Sequence, residues 1–203
     1  MATLRIKSQW FKTETQKTPQ QAAGVMAFIV WRVAHNALTQ MRSARFDIDI
    51  GPQYFAFMRE WLAFLIQVVD RMAHERMTQE ERTAFTTALV LRVAGHLADN
   101  ENTLLGAPPP GEETYQARFI DLVNLLASHY AEFGHDGDGP DFAFMRYLGH
   151  RIEALMPQKD RYWVVDQVMA IEAPDAVEML QRSLQGVLST EPRAPRRAGI
   201  SGD

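Results

Sequence analysis

The 203-residue chain contains no cysteine. This absence excludes disulfide bonds, zinc sites built on thiolates and a cysteine nucleophile. The sequence also lacks the HExxH motif of zinc proteases and the paired Glu-x-x-His motifs of di-iron carboxylate bundles. We therefore expect no catalytic residues, no metal ligands and no cofactor.

The chain also lacks a surplus of positive charge. Its 21 basic and 25 acidic residues give a net charge of -4 and a pI of about 5.9. Such a balance creates no general attraction to nucleic acid or to an anionic membrane, and a short C-terminal group of arginines would bind only weakly (Arg193, Arg196, Arg197). The first residues, MATLRIKSQWFK, have no apolar core of the kind found in secretory signals. The sequence therefore predicts a cytoplasmic protein without nucleic-acid or membrane partners.

The most apolar long segment runs from Tyr54 to Met77. Gly51-Pro52 precedes it, and proline is favoured at the first position of a helix. Apolar side chains cover nearly the whole circumference of this predicted helix, and most of its polar residues share one stripe (Glu60, Gln67, Asp70, Arg71, His74). Charges interrupt the segment too often for a membrane span of about 20 apolar residues. The pattern therefore predicts a helix at the centre of a helical bundle.

Proline and capping residues divide the rest of the chain into further helices. Thr18-Pro19 starts one that runs to about Arg42, and the capping box from Thr78 to Glu81 starts another that ends near Asn100. Later helices are predicted from about Glu112 to Phe133, from Asp141 to Met156, from Pro157 and from Pro174. The predicted class is all-α, a bundle of six to seven helices with little or no β structure.

Two short segments alternate between apolar and polar residues, as half-buried strands do. They are Thr3–Lys7 and Ser43–Ile50, and they carry basic and acidic polar residues respectively. The two could pair as a small ribbon. The alternative is that both are extended loops.

Parts of the sequence occur twice in the same order. The segment Phe55-Ala56-Phe57-Met58-Arg59 matches 142–146, and the segment 77–82 resembles 156–161. We interpret this as a duplicated three-helix unit, with copies at 18–100 and 112–188. The proline-rich segment 102–111 would join the copies within a single domain, 1–188, and residues 189–203 would form a disordered tail.

Two histidine–aspartate pairs have helical spacings that can hold a metal, namely Asp70 with His74 and His96 with Asp99. An antiparallel pairing of the second and third helices would place them roughly 30 Å apart, from a rise of 1.5 Å per residue. We therefore expect each pair to be solvated or bonded locally.

The turn GHDGDGP offers further weak motifs. His135-Asp136 resembles the dyad of metal phosphohydrolases, but no matching upstream histidine is evident. The spacing of Asp136, Asp138 and Asp141 resembles a calcium loop, but Tyr147 stands where the EF-hand needs glutamate. The glycines of the turn follow a helix and not a strand, which does not fit a dinucleotide fingerprint (Gly134, Gly137, Gly139).

These observations favour a non-enzymatic helical protein that binds a protein partner as adaptor, regulator or assembly factor, or that forms a homodimer. The chain has more large aromatic residues than exposed helix faces need (Trp10, Phe11, Trp31, Trp61, Trp163). The alternative is an enzyme or sensor with a small-molecule or metal pocket between the two repeats. An exposed apolar patch would favour the first hypothesis. An enclosed cavity with polar groups such as Arg32, Asp70 or His74 would favour the second.

Overall fold

The structure is a computed structural model that describes residues 17–137 and 139–188. Helices account for most of these residues, and the one sheet among them is a hairpin of two very short strands, β1 His135–Asp136 and β2 Gly139–Pro140. The helices are α1 Pro19–Ser43, α2 Pro52–His74, α3 Gln79–Leu105, α4 Tyr115–Tyr130, α5 Phe142–Glu153, α6 Arg161–Gln167 and α7 Ala173–Leu188. The all-α bundle predicted from the sequence is confirmed.

Helix α2 is the centre of this bundle. Every side chain from Glu60 to Val69 is buried, and the helix packs against α1, α3, α4, α5 and α7. Its apolar circumference explains this position, because a helix without a polar face must be covered on all sides. In the described part of the chain, no helix is long and apolar enough to cross a membrane.

The predicted capping residues start their helices. The side chains of Thr18 and Thr78 each accept a hydrogen bond from the backbone N–H three residues on. The side chain of that third residue in turn accepts a hydrogen bond from the backbone N–H of the threonine. Asp141 caps α5 by accepting from the N–H of Phe144 at 2.7 Å. Thr114, which was not predicted as a cap, caps α4 in the same way, so that helix begins at Tyr115 and not at about Glu112. Local sequence therefore set these helix starts.

Several helix boundaries differ from the sequence predictions. Helix α3 continues to Leu105, beyond the predicted end at Asn100, and stops where Gly106 adopts a positive φ of 85°. Helix α6 begins at Arg161 and not at Pro157, because residues 158–160 form a turn first. The predicted ribbon stays a prediction: residues 43–50 contain the end of α1 and a loop, and Thr3–Lys7 lie outside the described residues.

A sharp break at Pro174 was also predicted, but the chain stays helical there. The segment Val168–Glu172 forms a π-helical turn in which the N–H of Ala173 bonds to the carbonyl of Val168. The ring of Pro174 would clash with the carbonyl four residues earlier in a regular α-helix. Widening the preceding turn accommodates the proline, so α6 and α7 join through the π turn without a break.

The duplication stays a prediction. Phe57 and Phe144, which it makes equivalent, are both fully buried, and Gly51 and Gly139 both have a positive φ before a proline. The proposed equivalents Met58 and Met145 differ, because Met58 is buried and Met145 lines a surface groove. The predicted tail, 189–203, lies outside the described residues.

Candidate functional site

An open groove of about 700 Å³ lies between α5 on one side and α6 with the π turn on the other. We call it the α5–α6 groove. Its apolar lining comes from Phe142, Met145, Tyr162, Val165, Met169 and Ala170, and its charged or polar lining from Arg146, His150, Glu153, Arg161 and Asp166. The groove thus combines an apolar floor with charged walls.

Gly149 determines how closely the two walls approach. A Cβ atom at this position would lie 3.1 Å from Val165 Cγ1 and 3.5 Å from Val165 Cα. The absence of a side chain therefore lets the backbones of α5 and α6 come together at this level. Longer apolar side chains of the two helices, such as Met145 and Tyr162, line the groove around this contact.

Three large aromatic residues at or beside the groove face solvent. Phe142 is 64% exposed, Tyr162 is 76% exposed and Trp163 is 69% exposed. The other aromatics that the sequence singled out behave differently: Trp61 is fully buried and Trp31 packs against the core. Trp10 and Phe11 lie outside the described residues. Among the described residues, the strongly exposed aromatics therefore lie mostly at α5 and α6, and the exception is Phe28 of α1, which is 63% exposed.

The wall formed by α5 carries a chain of hydrogen bonds. Arg146 Nε donates to His150 Nε2 at 3.2 Å, and His150 Nδ1 lies 3.0 Å from Glu153 Oε2. Because Nε2 accepts from the arginine, the ring proton of a neutral His150 must sit on Nδ1 and point to the carboxylate. The chain fixes the orientation of these charged groups. The residues that line the groove include no serine, threonine or cysteine that could act as nucleophile.

The first predicted histidine–aspartate pair is committed to a structural contact. Asp70 forms an ion pair with Arg82, whose Nε lies 3.0 Å from Asp70 Oδ1, and it also accepts from Thr86 Oγ1 at 2.6 Å. Arg82 Nη1 lies 3.2 Å from His74 Nδ1. Hydrogen bonding to Asp70 raises the pKa of Arg82. These contacts hold α2 against α3 near the corner between them, as the antiparallel arrangement predicted.

The second pair is not brought near the first. His96 and Asp99 are both exposed on α3. Arg59 of α2 forms an ion pair with Glu101 of α3, which is fully buried. Burial raises the pKa of Glu101, although the charge and hydrogen bond of Arg59 act in the opposite direction. Among residues 17–137 and 139–188, no cluster of three or more acidic or histidine side chains could hold a metal ion.

The glycine turn also serves the fold. Asp141 Oδ1 caps α5, and Asp141 Oδ2 accepts from the N–H of Gly134 at 2.9 Å. Both carboxylate oxygens of Asp141, which a calcium loop would use as ligands, therefore accept hydrogen bonds from backbone N–H groups. His135 is partly buried, and neither of its ring nitrogens has a hydrogen-bond partner. Burial lowers the pKa of this histidine, and the nearby Glu75 carboxylate raises it in part.

The sequence did not identify the α5–α6 groove. The signal was present in Tyr162-Trp163-Val164-Val165, four consecutive apolar or aromatic side chains. A helix at the surface of a bundle buries one stripe, here Val164, so the others must be partly or fully exposed. The described part of the chain has two further grooves, one lined by residues of α1 and α3 and the other by residues that lie between Pro140 and Gln181 in the sequence. Arg32, Asp70 and His74 line neither of them. The arginines Arg193, Arg196 and Arg197 lie outside the described residues.

Comparisons of the chain with protein-family models, with curated proteins and with solved structures find no match in any of the three.

Proposed function

We propose that this protein is a non-enzymatic helical protein that binds another protein chain through the α5–α6 groove, as an adaptor, regulator or assembly factor. The observation that supports this most is the exposure of Phe142, Tyr162 and Trp163 at or beside an open apolar groove. Aromatic residues are enriched among the residues that contribute most to protein interfaces. Single exposed apolar residues are ordinary, but a group of large ones marks an interaction surface.

The energetics of the groove suit a protein partner. Fully burying a large apolar side chain contributes about 1.5–3 kcal/mol, and tyrosine and tryptophan lose little conformational entropy because they have two side-chain torsions. The charged walls then fix the orientation of the bound chain more than they add affinity. An apolar floor with charged walls is the usual composition of a protein interface.

A small-molecule site between the two predicted repeats has less support. Two of the three residues proposed for it, Asp70 and His74, contact Arg82. The third, Arg32, is exposed on α1. None of the three lines a groove described above.

Site-specific photo-cross-linking in the native host tests the proposal. A benzophenone amino acid replaces Tyr162 in the groove, and the matched control places it at Leu125, an exposed apolar residue of α4. We expect a protein adduct from position 162 and not from position 125. The cross-linked protein, once purified, should bind the wild-type chain at least about ten-fold more tightly than Val165→Glu, because a charge in the apolar floor must be desolvated on binding. Equal adducts at both positions, or none at either, would reject the proposal.

A further inference from the structure

We propose that residues 1–16 of this chain bind in a groove between α1 and α3, with Trp10 and Phe11 as the apolar anchors. This surface is separate from the α5–α6 groove, so the proposal goes beyond the function proposed above. Three observations support it: the place where the described chain begins, the part of α3 that α1 leaves uncovered, and the charges of the groove and of the segment.

The groove has a volume of about 770 Å³ and opens to solvent, and we call it the α1–α3 groove. Helix α1 contributes only Gln20 to its lining, and α3 contributes residues between Gln79 and Leu91. Leu91, which is 50% exposed, lies with Ala84 and Ala88 along an apolar floor. No described residue covers this apolar surface.

The direction of the two helices explains why the groove is open. A Cβ atom at Gly24 of α1 would lie 3.4 Å from the guanidinium carbon of Arg92 on α3, so these two residues lie at similar levels. Gln20, about one turn before Gly24, shares the groove with α3 residues that all precede Arg92. Helices α1 and α3 therefore run in the same direction.

Helix α3 extends past the start of α1. Helix α1 begins at Pro19, whereas the α3 residues that line the groove reach back from Leu91 to Gln79. This face of α3 is about 18 Å long, from a rise of 1.5 Å per residue. Gln20 bounds only the Leu91 end of it, because α1 has no helical residues at the levels of the earlier part of α3.

The chain enters α1 from this open end. Thr18 caps the helix, and the described residues begin at Lys17. The segment that precedes Lys17 therefore starts beside the uncovered face of α3. Phe11 comes nine residues before Gln20, and nine extended residues span up to about 30 Å. Trp10 and Phe11 can therefore reach any part of this face.

Attachment beside the groove favours residues 1–16 over other occupants. The segment offers two adjacent aromatic residues, Trp10 and Phe11, and aromatic side chains dominate the energetics of interfaces. A short connection raises the effective concentration of an attached segment to the millimolar range. Contacts too weak to hold a second copy or another protein are therefore sufficient to hold this segment.

The charges of the segment and of the groove are complementary. Residues 1–16 carry three basic side chains and one acidic side chain, so their net charge is positive. The first turn of α3 carries Glu80 and Glu81. Glu80 lines the groove and forms no ion pair with another described residue. Unlike charges therefore attract the segment to the end of the groove that α1 leaves open.

Photo-cross-linking within the purified full chain tests the proposal. A benzophenone amino acid replaces Leu91 in the groove, and the matched control replaces Gln185, an exposed residue of α7. Lys17 Nζ donates to the carbonyl of Val187 at 3.2 Å, so the control also lies near the start of the described chain. Because the bound segment is concentrated on one side only, we expect its adduct at position 91 to form at least about ten times as often as at position 185.

Removing the two anchors should release the segment. Trp10→Ser/Phe11→Ser should lower the yield of the adduct at position 91 at least about five-fold, because two large apolar side chains no longer leave water on binding. Leu104→Ser is the matched control, since Leu104 is an exposed apolar residue at the other end of α3. It should leave the yield unchanged.

Equal yields at positions 91 and 185 would overturn the proposal, because a segment without a binding site reacts with both. So would the absence of any adduct between position 91 and residues 1–16, or an adduct that Trp10→Ser/Phe11→Ser does not reduce. Adducts that join two chains, with a yield that rises with protein concentration, would assign the groove to a second copy and reject the proposal as well.

Discussion

Glu60 of α2 and Arg151 of α5 form an ion pair in which two guanidinium nitrogens contact both carboxylate oxygens. Arg151 Nε lies 2.9 Å from Glu60 Oε2, and Arg151 Nη2 lies 2.5 Å from Glu60 Oε1. The side chain of Glu60 is almost completely buried, and hydrogen bonding to it raises the pKa of Arg151. This pair fixes the helix that carries one wall of the groove to the central helix of the bundle.

We predict that Arg151→Ala lowers the free energy of unfolding by about 3–5 kcal/mol, because it leaves the Glu60 carboxylate buried without a partner. The double variant Glu60→Leu/Arg151→Met should recover most of this loss, since apolar side chains need no partner there. Urea denaturation of the two variants and the wild type measures the difference. A loss below about 0.5 kcal/mol, the usual range for surface substitutions, would show that the pair is well solvated.

The second prediction concerns the start of α3. Thr78→Ala should cost about 1 kcal/mol of stability, because Thr78 Oγ1 accepts from the N–H of Glu81 and the carboxylate of Glu81 returns a bond to the cap. Thr87→Ala, at an exposed position within the same helix, serves as control and should change stability by less than about 0.5 kcal/mol. Equal effects of the two substitutions in thermal or urea unfolding would argue against the cap.

The third prediction concerns the pH dependence of stability at His135. Burial holds the pKa of this imidazole below its ordinary value of 6.5 in the folded protein. As the pH falls, the unfolded chain therefore binds the proton first, so stability is lost from about pH 6.5 downward until the folded histidine is protonated.

Replacing His135 with phenylalanine should remove this part of the acid sensitivity. It should also raise stability at pH 7 by about 1 kcal/mol, because both buried ring nitrogens lack hydrogen-bond partners. The ring already packs on Phe144, with centroids 6.3 Å apart. His96→Phe, at an exposed position of α3, is the control. Urea unfolding at pH 5 and pH 7 measures the free energy of unfolding of each variant. If wild type and His135→Phe lose the same amount between these two pH values, the prediction is wrong.

The fourth prediction concerns the π turn. Glu172 is buried there, where its Oε1 accepts from Gln167 Nε2 at 2.9 Å and its Oε2 has no hydrogen-bond partner. Burial raises the pKa of this carboxyl, and the nearby Asp175 carboxylate adds to the effect. Because the folded state binds the proton more readily, stability falls as the pH rises above the ordinary carboxyl pKa of 4.5, and the loss is complete once the pH exceeds the folded pKa.

Glu172→Gln should therefore raise stability at pH 7 by about 1 kcal/mol, since it removes a buried charge and keeps the acceptor for Gln167. The advantage should shrink as the pH falls toward 4.5, where the wild-type carboxyl is protonated in the folded state. Glu178→Gln on α7, where the glutamate is exposed, provides the comparison. A variant less stable than the wild type at pH 7 would show that the charge is compensated.

The sequence by itself determined the features that depend on neighbouring residues. The capping boxes at Thr18 and Thr78 and the cap at Asp141 start their helices where predicted, because these bonds join groups three residues apart. The burial of α2 also followed from its sequence, because an apolar circumference leaves no side that water can cover. The continuous helix through Pro174 did not follow from the sequence. A chain can accommodate a proline either by widening the preceding turn or by breaking the helix, and the sequence alone does not choose between them.

Tertiary structure alone decided which distant residues meet. Nothing near Glu60 in the sequence indicates that its partner is Arg151, 91 residues later, and no sequence pattern indicated that Arg59 would pair with Glu101. The α5–α6 groove depends on the close approach of Gly149 to Val165, which is a property of two packed helices. Composition likewise gave the number of tryptophans, but only packing decided that Trp61 is buried and Trp163 is exposed, because burial depends on what the other helices cover.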